Sequence, residues 1–419
     1  MATRVEADVL IPGSGEPITK GAIIWDGPTI SYAGPVESAP PASPSDTTVN
    51  VPAALPGLWD THTHFVGVRK FSTEEMVLTS NWVGIVRATR DAEIALRAGF
   101  TSVRELGGFG VYLARAVNEG SIVGPHIYAA GIQLTPTAGH GDMHMFPLEF
   151  VHMMARELGF PGPCDGVPEC LSAVRQILRL GASVVKIMAS GGVMSELDSP
   201  LHQEFSDEEL RAIVEEAARA ERIVAAHCHG KAGIMAALRA GAKTIEHGSY
   251  LDEEAADLIL EKGAMLVPTR LIVDQMVARG EAGGLPEYMI RKAREIHQRH
   301  REAIRLAIRR KVPIAFGTDI GGSSDAAPVY WGINGREFGL LVDDLGMTPL
   351  GAIEAATANG PRTLGPQAPR SGMLLEGYAA DVLAVAENPL KRIAALAEPE
   401  KIVRVWKDGK LAVERPLSA

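Results

Sequence analysis

The sequence predicts an α/β fold, namely a (β/α)8 TIM-type barrel with a small β-sandwich domain built from both chain ends. Two patterns indicate this fold. Helical segments that end in glycine are followed at once by a short strand, as in LRAGF-TSVREL at Gly99 and LRAGA-KTIEHG at Gly241. These strands are nearly all apolar, which is typical of parallel strands that are buried on both faces.

Eight apolar runs supply the strands of the predicted barrel. Long helical patterns separate most of them, and one helix begins with a capping box formed by Ser206 and Glu209. Eight strand–helix units favour a closed barrel, and an open doubly wound sheet is the alternative. The predicted strands are residues 57–62, 101–106, 126–132, 183–188, 223–227, 244–247, 265–268 and 313–318.

The two chain ends show a different pattern, in which short strands alternate with turns. Neither end has enough apolar residues to fold alone, so we expect the two ends to pair. The sequence therefore predicts two domains, a β-sandwich of residues 1–56 plus 372–419 and a barrel of residues 57–371.

The composition argues against several classes of protein. The 419 residues include 41 Lys and Arg against 51 Asp and Glu, a formal charge of −10, so neither nucleic acid nor an anionic membrane is an expected partner. Three cysteines cannot form a disulfide framework, and no apolar run reaches the roughly 18 residues that a membrane span requires. We therefore expect a cytoplasmic protein.

Ionisable side chains collect at the carboxyl ends of the predicted strands, where (β/α)8 barrels carry their reactive groups. His-x-His on a strand places both imidazoles on one face, because side chains alternate in direction, and two imidazoles make half of a zinc site. Lys186 has two interpretations, an ion-pairing lysine or a carbamate that could bridge two cations. The strand-end residues are His62, His64, Lys186, His227, His229, His247 and Asp319, and His140 follows the third strand.

The chain resembles the amidohydrolase superfamily in its binuclear-metal branch. The resemblance rests on five motifs, which occur in the order PGLWDTHTH, VVKIMASGG, AAHCHG, TIEHG and GTD, and it covers nearly the whole chain. Within the superfamily the sequence is most similar to the imidazolonepropionase-related metallopeptidases. That group includes Xaa-Pro dipeptidases, carboxypeptidases for basic C-terminal residues and ochratoxin-hydrolysing amidases.

The resemblance implies two divalent metal ions, zinc in the first instance, with manganese, iron or cobalt as alternatives. It implies that Asp319 takes a proton from a metal-bridging hydroxide and passes it to the leaving amine, and that His140 polarises the substrate carbonyl. His229 stands where the dipeptidases often have Tyr, so it would contact the substrate, with metal ligation as the alternative. The implied ligands are His62, His64 and Asp319 for the more buried ion, His227 and His247 for the second, and carboxylated Lys186 for both.

A few other residues carry weaker expectations. Arg270 follows the seventh predicted strand and could bind the free carboxylate of a peptide-like substrate, with a surface ion pair as the alternative. Arg104 and its neighbour Glu105 are expected to pair beside the site. The remaining histidines singled out are expected on loop or helix surfaces, and they are His144, His152, His202, His297 and His300.

These observations predict a metal-dependent hydrolase of amide or peptide bonds. A dipeptidase or carboxypeptidase that acts on a dipeptide or other small molecule is the first interpretation, and an amidase on N-acyl aromatic amino acids such as ochratoxin is the rival. A deaminase is disfavoured, because Gly230 stands where deaminases carry Glu, and Lys186 disfavours both a deaminase and an imidazolone hydrolase. An assembly protein without activity is disfavoured because every ligand position is filled. We expect a homo-oligomer.

Overall fold

The computed structural model describes residues 1–158 and 162–416, so residues 417–419 of the predicted sandwich lie outside the described residues. Its strands are β1 (Thr3–Leu10), β2 (Ile18–Trp25), β3 (Ile30–Pro35), β4 (Thr47–Pro56), β5 (Leu58–Val68), β6 (Phe100–Glu105), β7 (His126–Ala129), β8 (Leu134–Thr135), β9 (Gly162–Pro163), β10 (Val185–Met188), β11 (Val224–Cys228), β12 (Thr244–His247), β13 (Met265–Val267), β14 (Ile320–Gly322), β15 (Val382–Val385), β16 (Ile402–Lys407) and β17 (Lys410–Glu414). Its α-helices are α1 (Thr73–Leu78), α2 (Asn81–Arg97), α3 (Gly110–Asn118), α4 (Leu148–Leu158), α5 (Gly166–Arg179), α6 (Asp207–Arg219), α7 (Lys231–Ala240), α8 (Glu253–Lys262), α9 (Arg270–Arg279), α10 (Glu287–Arg309), α11 (Arg336–Gly339), α12 (Pro349–Ala355) and α13 (Asn359–Arg362).

The strands of the two chain ends form one seven-stranded sheet, in the order β17-β16-β15-β4-β1-β2-β3. In this sheet β1 pairs in parallel with β4 and antiparallel with β2, and β15 pairs antiparallel with β4. One face buries a separate apolar cluster that includes Val5, Ile23, Val382 and Trp406. The prediction that the chain ends pair is therefore confirmed, because β4 and β15 are adjacent.

The middle of the chain forms two parallel sheets flanked by helices. One has the order β13-β12-β11-β10-β8-β9 and the other the order β14-β5-β6-β7. In each sheet, neighbouring strands pair in parallel. The helices between these strands pack their buried faces into one large apolar cluster. The predicted α/β class with parallel strands is confirmed.

Backbone hydrogen bonds join the two parallel sheets at both edges. Ser183 donates to the Ala129 carbonyl at 2.8 Å, and Leu266 donates to the Pro313 carbonyl at 2.9 Å. On the far side of the 313–318 segment, the Thr61 amide donates to the Phe316 carbonyl at 2.8 Å. Seven of the eight predicted strands overlap a regular strand, whereas 313–318 contributes only an isolated bridge at Ile314.

The 313–318 segment differs from a regular strand because side chains replace part of its ladder. The Asp60 carboxylate accepts hydrogen bonds from the Thr318 amide at 3.1 Å and from the Thr318 hydroxyl at 2.6 Å. Asn334 donates to the same carboxylate at 2.7 Å. Asp60 lies on β5, so this buried polar cluster fixes the segment beside the strand that carries His62 and His64.

The helix ends follow the signals in the sequence. Ser206 and Glu209 form the predicted capping box at the start of α6. Gly241 and Gly263 end α7 and α8 in the left-handed conformation, with φ of 108° and 57°, which glycine adopts without the strain of a Cβ. Within the described residues, no helix has both the length and the hydropathy that a membrane crossing requires.

Asp91 is a buried carboxyl on α2. Burial raises the pKa of Asp91 to about 7, against the opposing hydrogen bond from the Ser323 hydroxyl. Between about pH 4 and pH 7, Asp91 is therefore protonated in the folded state and ionised in the unfolded state. The stability contributed by Asp91 is present at low pH, falls as the pH rises through this window, and is constant above it.

We expect Asp91→Asn to remove this dependence. The free energy of unfolding of the variant relative to the wild type should rise by about 2–4 kcal/mol between pH 4.5 and pH 8. Denaturant unfolding at the two pH values measures it. Glu93→Gln, half-exposed on the same helix, is the control. A constant difference between Asp91→Asn and the wild type would contradict the assignment.

Candidate metal centre

A deep cavity opens at the carboxyl ends of the parallel strands. Its base is polar and its outer wall is apolar. The base is lined by all the strand-end residues that the sequence predicted, namely His62, His64, His140, Lys186, His227, His229, His247 and Asp319. The structure therefore brings the predicted site residues together, with the exception of Arg270.

The first cluster in the base consists of His62, His64 and Asp319, each of which offers one ligand atom within 4.8 Å of the others. The Asp319 Oδ1 atom lies 3.1 Å from Nε2 of His64 and 3.5 Å from Nε2 of His62. Burial alone would raise the pKa of Asp319, but the two imidazoles and Lys186 hold it below its usual range. Two nitrogens and one ionised carboxylate oxygen thus converge on one point, which fits a divalent cation.

The second cluster consists of closely packed imidazoles. The His227 and His247 ring centroids are 4.6 Å apart, and the His229 ring stacks on His247 at 4.9 Å. His140 stacks on His227 at 4.3 Å. Burial holds the pKa of His227 and of His247 well below the usual value, so these rings are neutral and offer nitrogen lone pairs.

Lys186 lies on β10 between the two clusters and is 1% exposed. Its Nζ atom is buried and has no hydrogen-bond partner among the residues that the structure describes. Burial lowers the pKa of Lys186 to about 8, although Glu246 and Asp319 oppose the shift. An unpaired buried amine is costly, so this position requires a partner that protein groups do not supply.

Hydrogen bonds fix the protonated nitrogen of the ligand histidines. The Nδ1 atom of His62 lies 2.8 Å from the Glu246 carboxylate, and Nδ1 of His64 lies 2.8 Å from the Gly107 carbonyl. Because a carboxylate and a carbonyl only accept, both Nδ1 atoms carry a proton, and the neutral form of each ring has its lone pair on Nε2. Despite burial, Asp319 raises the pKa of His64, so a cation at this point replaces the second proton of that ring. Such outer hydrogen bonds are typical of metal-binding histidines.

His247 is oriented in the same way by Thr269. The Nδ1 atom of His247 lies 2.6 Å from the Thr269 hydroxyl, which itself donates to the Pro268 carbonyl at 2.7 Å. The hydroxyl has given its hydrogen away, so it accepts from Nδ1 and leaves Nε2 of His247 with a lone pair. His247, Thr269 and Asp319 all have left-handed backbones, with φ of 68°, 50° and 59°, a strain that accumulates at functional sites.

Glu246 was not predicted from the sequence, and Arg104 is paired differently from the prediction. The Arg104 guanidinium, fully buried, donates to Glu246 at 2.7 Å rather than to Glu105. The predicted Arg104–Glu105 pair is wrong because neighbours on a strand point to opposite faces. A charged residue within the apolar β12, next to His247, was the signal that could have indicated Glu246.

A second group that the sequence did not indicate holds His140. The Nδ1 atom of His140 lies 2.7 Å from the Ser195 hydroxyl, which donates to Asp198 at 2.5 Å. The buried Lys292 ammonium, on α10, donates to Asp198 Oδ1 at 2.9 Å and to the Ser195 carbonyl at 2.7 Å. Lys292 thus fixes the two residues that orient His140. The sequence did not reveal this contact because Lys292 lies far along the chain from both of them.

This network limits what His140 can do. Asp198 takes the Ser195 hydrogen, so Ser195 accepts from Nδ1, and a neutral His140 then has no hydrogen on Nε2. Burial lowers the pKa of His140 to about 4, although Asp198 opposes the shift. Polarising a carbonyl by donation from Nε2, the role implied by the resemblance, therefore requires the charged ring, whereas the neutral ring accepts a hydrogen bond there.

The structure places Arg270 away from the cavity, and the prediction that it binds a substrate carboxylate is corrected. Arg270 is 1% exposed and its guanidinium donates to the His297 carbonyl at 3.1 Å, with Asp344 at 3.5 Å. Arg270 is the first residue of α9. Its side chain points away from the cavity because its partners, the His297 carbonyl on α10 and the Asp344 carboxylate after α11, lie on the other side.

The other five histidines with sequence-based predictions lie in four environments. His152 and His202 are exposed, as predicted, and His297 is half-buried. His300 is fully buried and its Nε2 atom bonds the Pro268 carbonyl at 2.8 Å, so the surface prediction was wrong because α10 packs this face against the strand ends. His144 lines the cavity rather than an outer surface.

The outer wall of the cavity is mostly apolar and is formed by several loops and helices, with the polar exceptions Gln133, Asp142, His144, Ser195 and Glu196. Among the described lining residues, Lys186 is the sole lysine or arginine, so the wall offers no second strong cation. The cavity therefore fits a ligand that is largely apolar outside its reacting group. The wall residues are Val66, Val68, Phe71, Phe109, Met143, Met145, Met188, Val193, Met194, Ile272, Val273, Met276, Tyr288 and Met289.

Comparisons with known proteins agree with this geometry. The sequence pattern of the Amidohydrolase family matches residues 53–412. Ochratoxinase from Aspergillus niger is 44% identical over 422 residues, which cover 98% of this chain and 86% of that protein. Its crystal structure superposes with a TM-score of 0.91 at 42% identity, covering 99% of this chain and 96% of that one.

Two peptidase structures are also similar. A prolidase in complex with N-methylphosphonate-L-proline has a TM-score of 0.89 at 29% identity, over 99% of this chain and all of that one. A Xaa-Pro dipeptidase with methionine bound in its active site has a TM-score of 0.85 at 30% identity, over 98% and 99% of the two chains. The chain belongs to the amidohydrolase family and is a hydrolytic enzyme.

Proposed function

We propose that this enzyme hydrolyses the amide bond of N-acyl aromatic amino acids. The observation that carries the proposal is the apolar wall, rich in Met and Phe, that stands directly over the polar base of the cavity. An amide with an aromatic group on each side would bury most of its surface against this wall. The 44% identity to ochratoxinase supports the same substrate class.

We further propose that the base holds two divalent cations, with zinc as the first expectation. His62, His64 and Asp319 would hold one, His227 and His247 the other, and Lys186, carboxylated by CO2, would contribute to both. The fixed Nε2 lone pairs and the unpartnered Nζ of Lys186 support this assignment. When bound, such cations lower the pKa of a water molecule and polarise a carbonyl.

The residues of the chain would then carry the proton through the reaction. A water molecule attacks the amide carbon, and Asp319 accepts the proton that the water loses. Asp319 returns this proton to the amide nitrogen as the C–N bond breaks, so the products are a carboxylic acid and a free amine. His140, held by Ser195, and His229, held by Ser249 at 2.7 Å, would contact the substrate on the side of the second cluster.

The proposed architecture around this site is a closed (β/α)8 barrel of residues 57–371 beside a β-sandwich of residues 1–56 plus 372–419. Hydrogen bonds from Ser183 to Ala129 and from Leu266 to Pro313 support closure, because they join the two parallel sheets at both edges. The position of β4 and β15 side by side supports the domain limits. A cytoplasmic location and a homo-oligomer stay predictions from the sequence.

A dipeptidase for Xaa-Pro substrates is the second candidate, and the similarity to the prolidase and Xaa-Pro dipeptidase structures favours it. The two candidates differ in how much apolar surface the substrate offers. Rates on N-benzoyl-L-phenylalanine, N-acetylglycine and Xaa-Pro dipeptides separate them. We expect kcat/KM to be at least about tenfold higher for N-benzoyl-L-phenylalanine than for either of the others; a preference for Xaa-Pro would support the second candidate instead.

Asp319→Asn and Lys186→Ala are expected to abolish hydrolysis while the fold is retained. Loss of the proton acceptor at position 319 should lower kcat by at least about 100-fold. Lys186→Ala should lose activity through its metal content, and added propionate should restore part of it, because a short carboxylate can occupy the place of the carbamate. Circular dichroism and metal analysis accompany the assays, and full turnover in either variant would defeat the assignment.

Thr269→Ala is expected to weaken metal binding, because His247 loses the acceptor that fixes its Nδ1 hydrogen. We expect the affinity for Zn²⁺ to fall about 10–100-fold, as measured by competition with a chelating dye. Thr269→Ser keeps the hydroxyl and should bind nearly as well as the wild type. Equal losses in the two variants would show that packing, and not the hydrogen bond, matters at this position.

Lys292→Met is expected to lower kcat about 10–100-fold with little change in KM or metal content, because Ser195 and Asp198 no longer hold His140 in place. Lys292→Arg should restore part of the rate. Arg291→Met, exposed on the same helix, is the matched control and should behave as the wild type. A fall in metal content equal to the fall in kcat would assign Lys292 a merely structural role.

A further inference from the structure

A separate cluster of potential metal ligands lies far from the cavity, at the opposite ends of the strands. His126 begins β7, at its amino end, whereas the cavity lies at the carboxyl ends. Asp381 immediately precedes β15, and Asp408 lies in the turn between β16 and β17. Each offers one ligand atom within 4.8 Å of the others, as His62, His64 and Asp319 do in the cavity.

The separations in this cluster are longer than those of charge-assisted hydrogen bonds. The His126 Nε2 atom lies 3.5 Å from Asp381 Oδ2 and 3.4 Å from Asp408 Oδ1, whereas such hydrogen bonds measure about 2.7–2.9 Å. Ligands at about 2.0–2.1 Å from a tetrahedral zinc ion are separated by about 3.3–3.4 Å. The two separations therefore match the edge lengths of a metal tetrahedron and are longer than a direct hydrogen bond.

An unpaired buried oxygen points into the same space. The Asp381 side chain is 2% exposed, and its Oδ2 atom accepts no hydrogen bond from residues 1–158 or 162–416. Its Oδ1 atom, in contrast, accepts from the Asp408 amide at 2.8 Å, which fixes the carboxylate plane. A buried carboxylate oxygen without a donor is costly, so a cation at this point would remove a real penalty.

The charge of the cluster also suits a divalent cation. Burial alone would lower the pKa of His126, but Asp381 and Asp408 raise it to about 9, so a bound cation has to displace this proton. Two carboxylates and the imidazole that remains then carry a charge of −2. Lys407 is the neighbouring cation, but within the described part of the chain its ammonium makes no ion pair with Asp381 or Asp408 within 4.0 Å. Tyr128 lies on β7, near Asp381 and Asp408. Burial and both carboxylates raise the pKa of Tyr128, so its hydroxyl stays neutral.

We propose that His126, Asp381 and Asp408 bind one divalent transition-metal cation of the zinc type, with solvent as the fourth ligand. The mixed nitrogen and oxygen donors and the tetrahedral spacing select such a cation over Mg²⁺ or Ca²⁺, which prefer six or more oxygens. The ligands come from β7 and from both ends of the β15–β16 hairpin region. The ion therefore ties the parallel strands to the seven-stranded sheet and stabilises the folded chain.

The test counts zinc ions in full-length protein stripped with a chelator and then titrated with ZnCl2. Asp408→Asn, at a half-exposed position, should bind one equivalent fewer than the wild type and should gain a smaller rise in Tm from ZnCl2. His126→Asn should behave in the same way, and it keeps the proposal testable if one variant folds poorly. Asp8→Asn, exposed on β1 of the same sheet, is the control and should lose nothing.

Activity separates this site from the catalytic one. Both variants should retain amide hydrolysis when saturated with zinc, whereas Asp319→Asn should lose hydrolysis and keep the ion bound by His126. Equal zinc counts and equal Tm shifts in the wild type, Asp408→Asn and His126→Asn would overturn the proposal and leave His126 as a protonated partner of the two acids. That result would not affect the assignment of the cavity.

Discussion

The buried ion pair between Arg104 and Glu246 is the interaction on which the cavity depends. Neither group is exposed, and the guanidinium also bonds the Thr61 carbonyl at 2.6 Å, on the strand that carries His62. Glu246 bonds both Arg104 and His62, so one carboxylate joins β5, β6 and β12. Arg104 and His62 together lower the pKa of Glu246 to about 2, although burial alone would raise it. A carboxylate that stays ionised at neutral pH accepts the Nδ1 hydrogen of His62.

The same principle extends around the base of the cavity. Burial lowers the pKa of His62, His227 and His247, which keeps these rings neutral, whereas Asp319 raises the pKa of His64 despite burial. His62, His64 and His247 each have Nδ1 committed to an acceptor, so the neutral form of each ring offers its Nε2 lone pair to a cation. The enzyme belongs to a hydrolytic family, and this arrangement explains how six imidazoles can be packed together with little mutual repulsion. It also explains why Lys186, the single amine among them, lacks a protein partner.

The sequence indicated the parallel strands, the pairing of the chain ends and the cluster at the strand ends, because all three follow from local patterns. Apolar runs, glycine helix ends and His-x-His spacing need no knowledge of distant contacts. The sequence did not indicate Glu246, Thr269, Ser195, Asp198 or Lys292. Their roles depend on which loop or helix folds over which strand, and polar residues in helices and loops are common without such roles. Arg270 shows the reverse error. Its place after a strand was predicted correctly, but its buried side chain points away from the cavity, towards Asp344 and His297.

The central place of β4 in the seven-stranded sheet has a consequence for synthesis of the protein. β4 is complete by residue 56, yet its partner β15 begins at residue 382, so one edge of β4 stays without this partner until residues 57–381 have been made. Unpaired strand edges are sites of intermolecular pairing, and late contacts slow folding. Nascent chains are therefore exposed to intermolecular pairing through this edge, and the emergence of β15 is the event that ends the exposure.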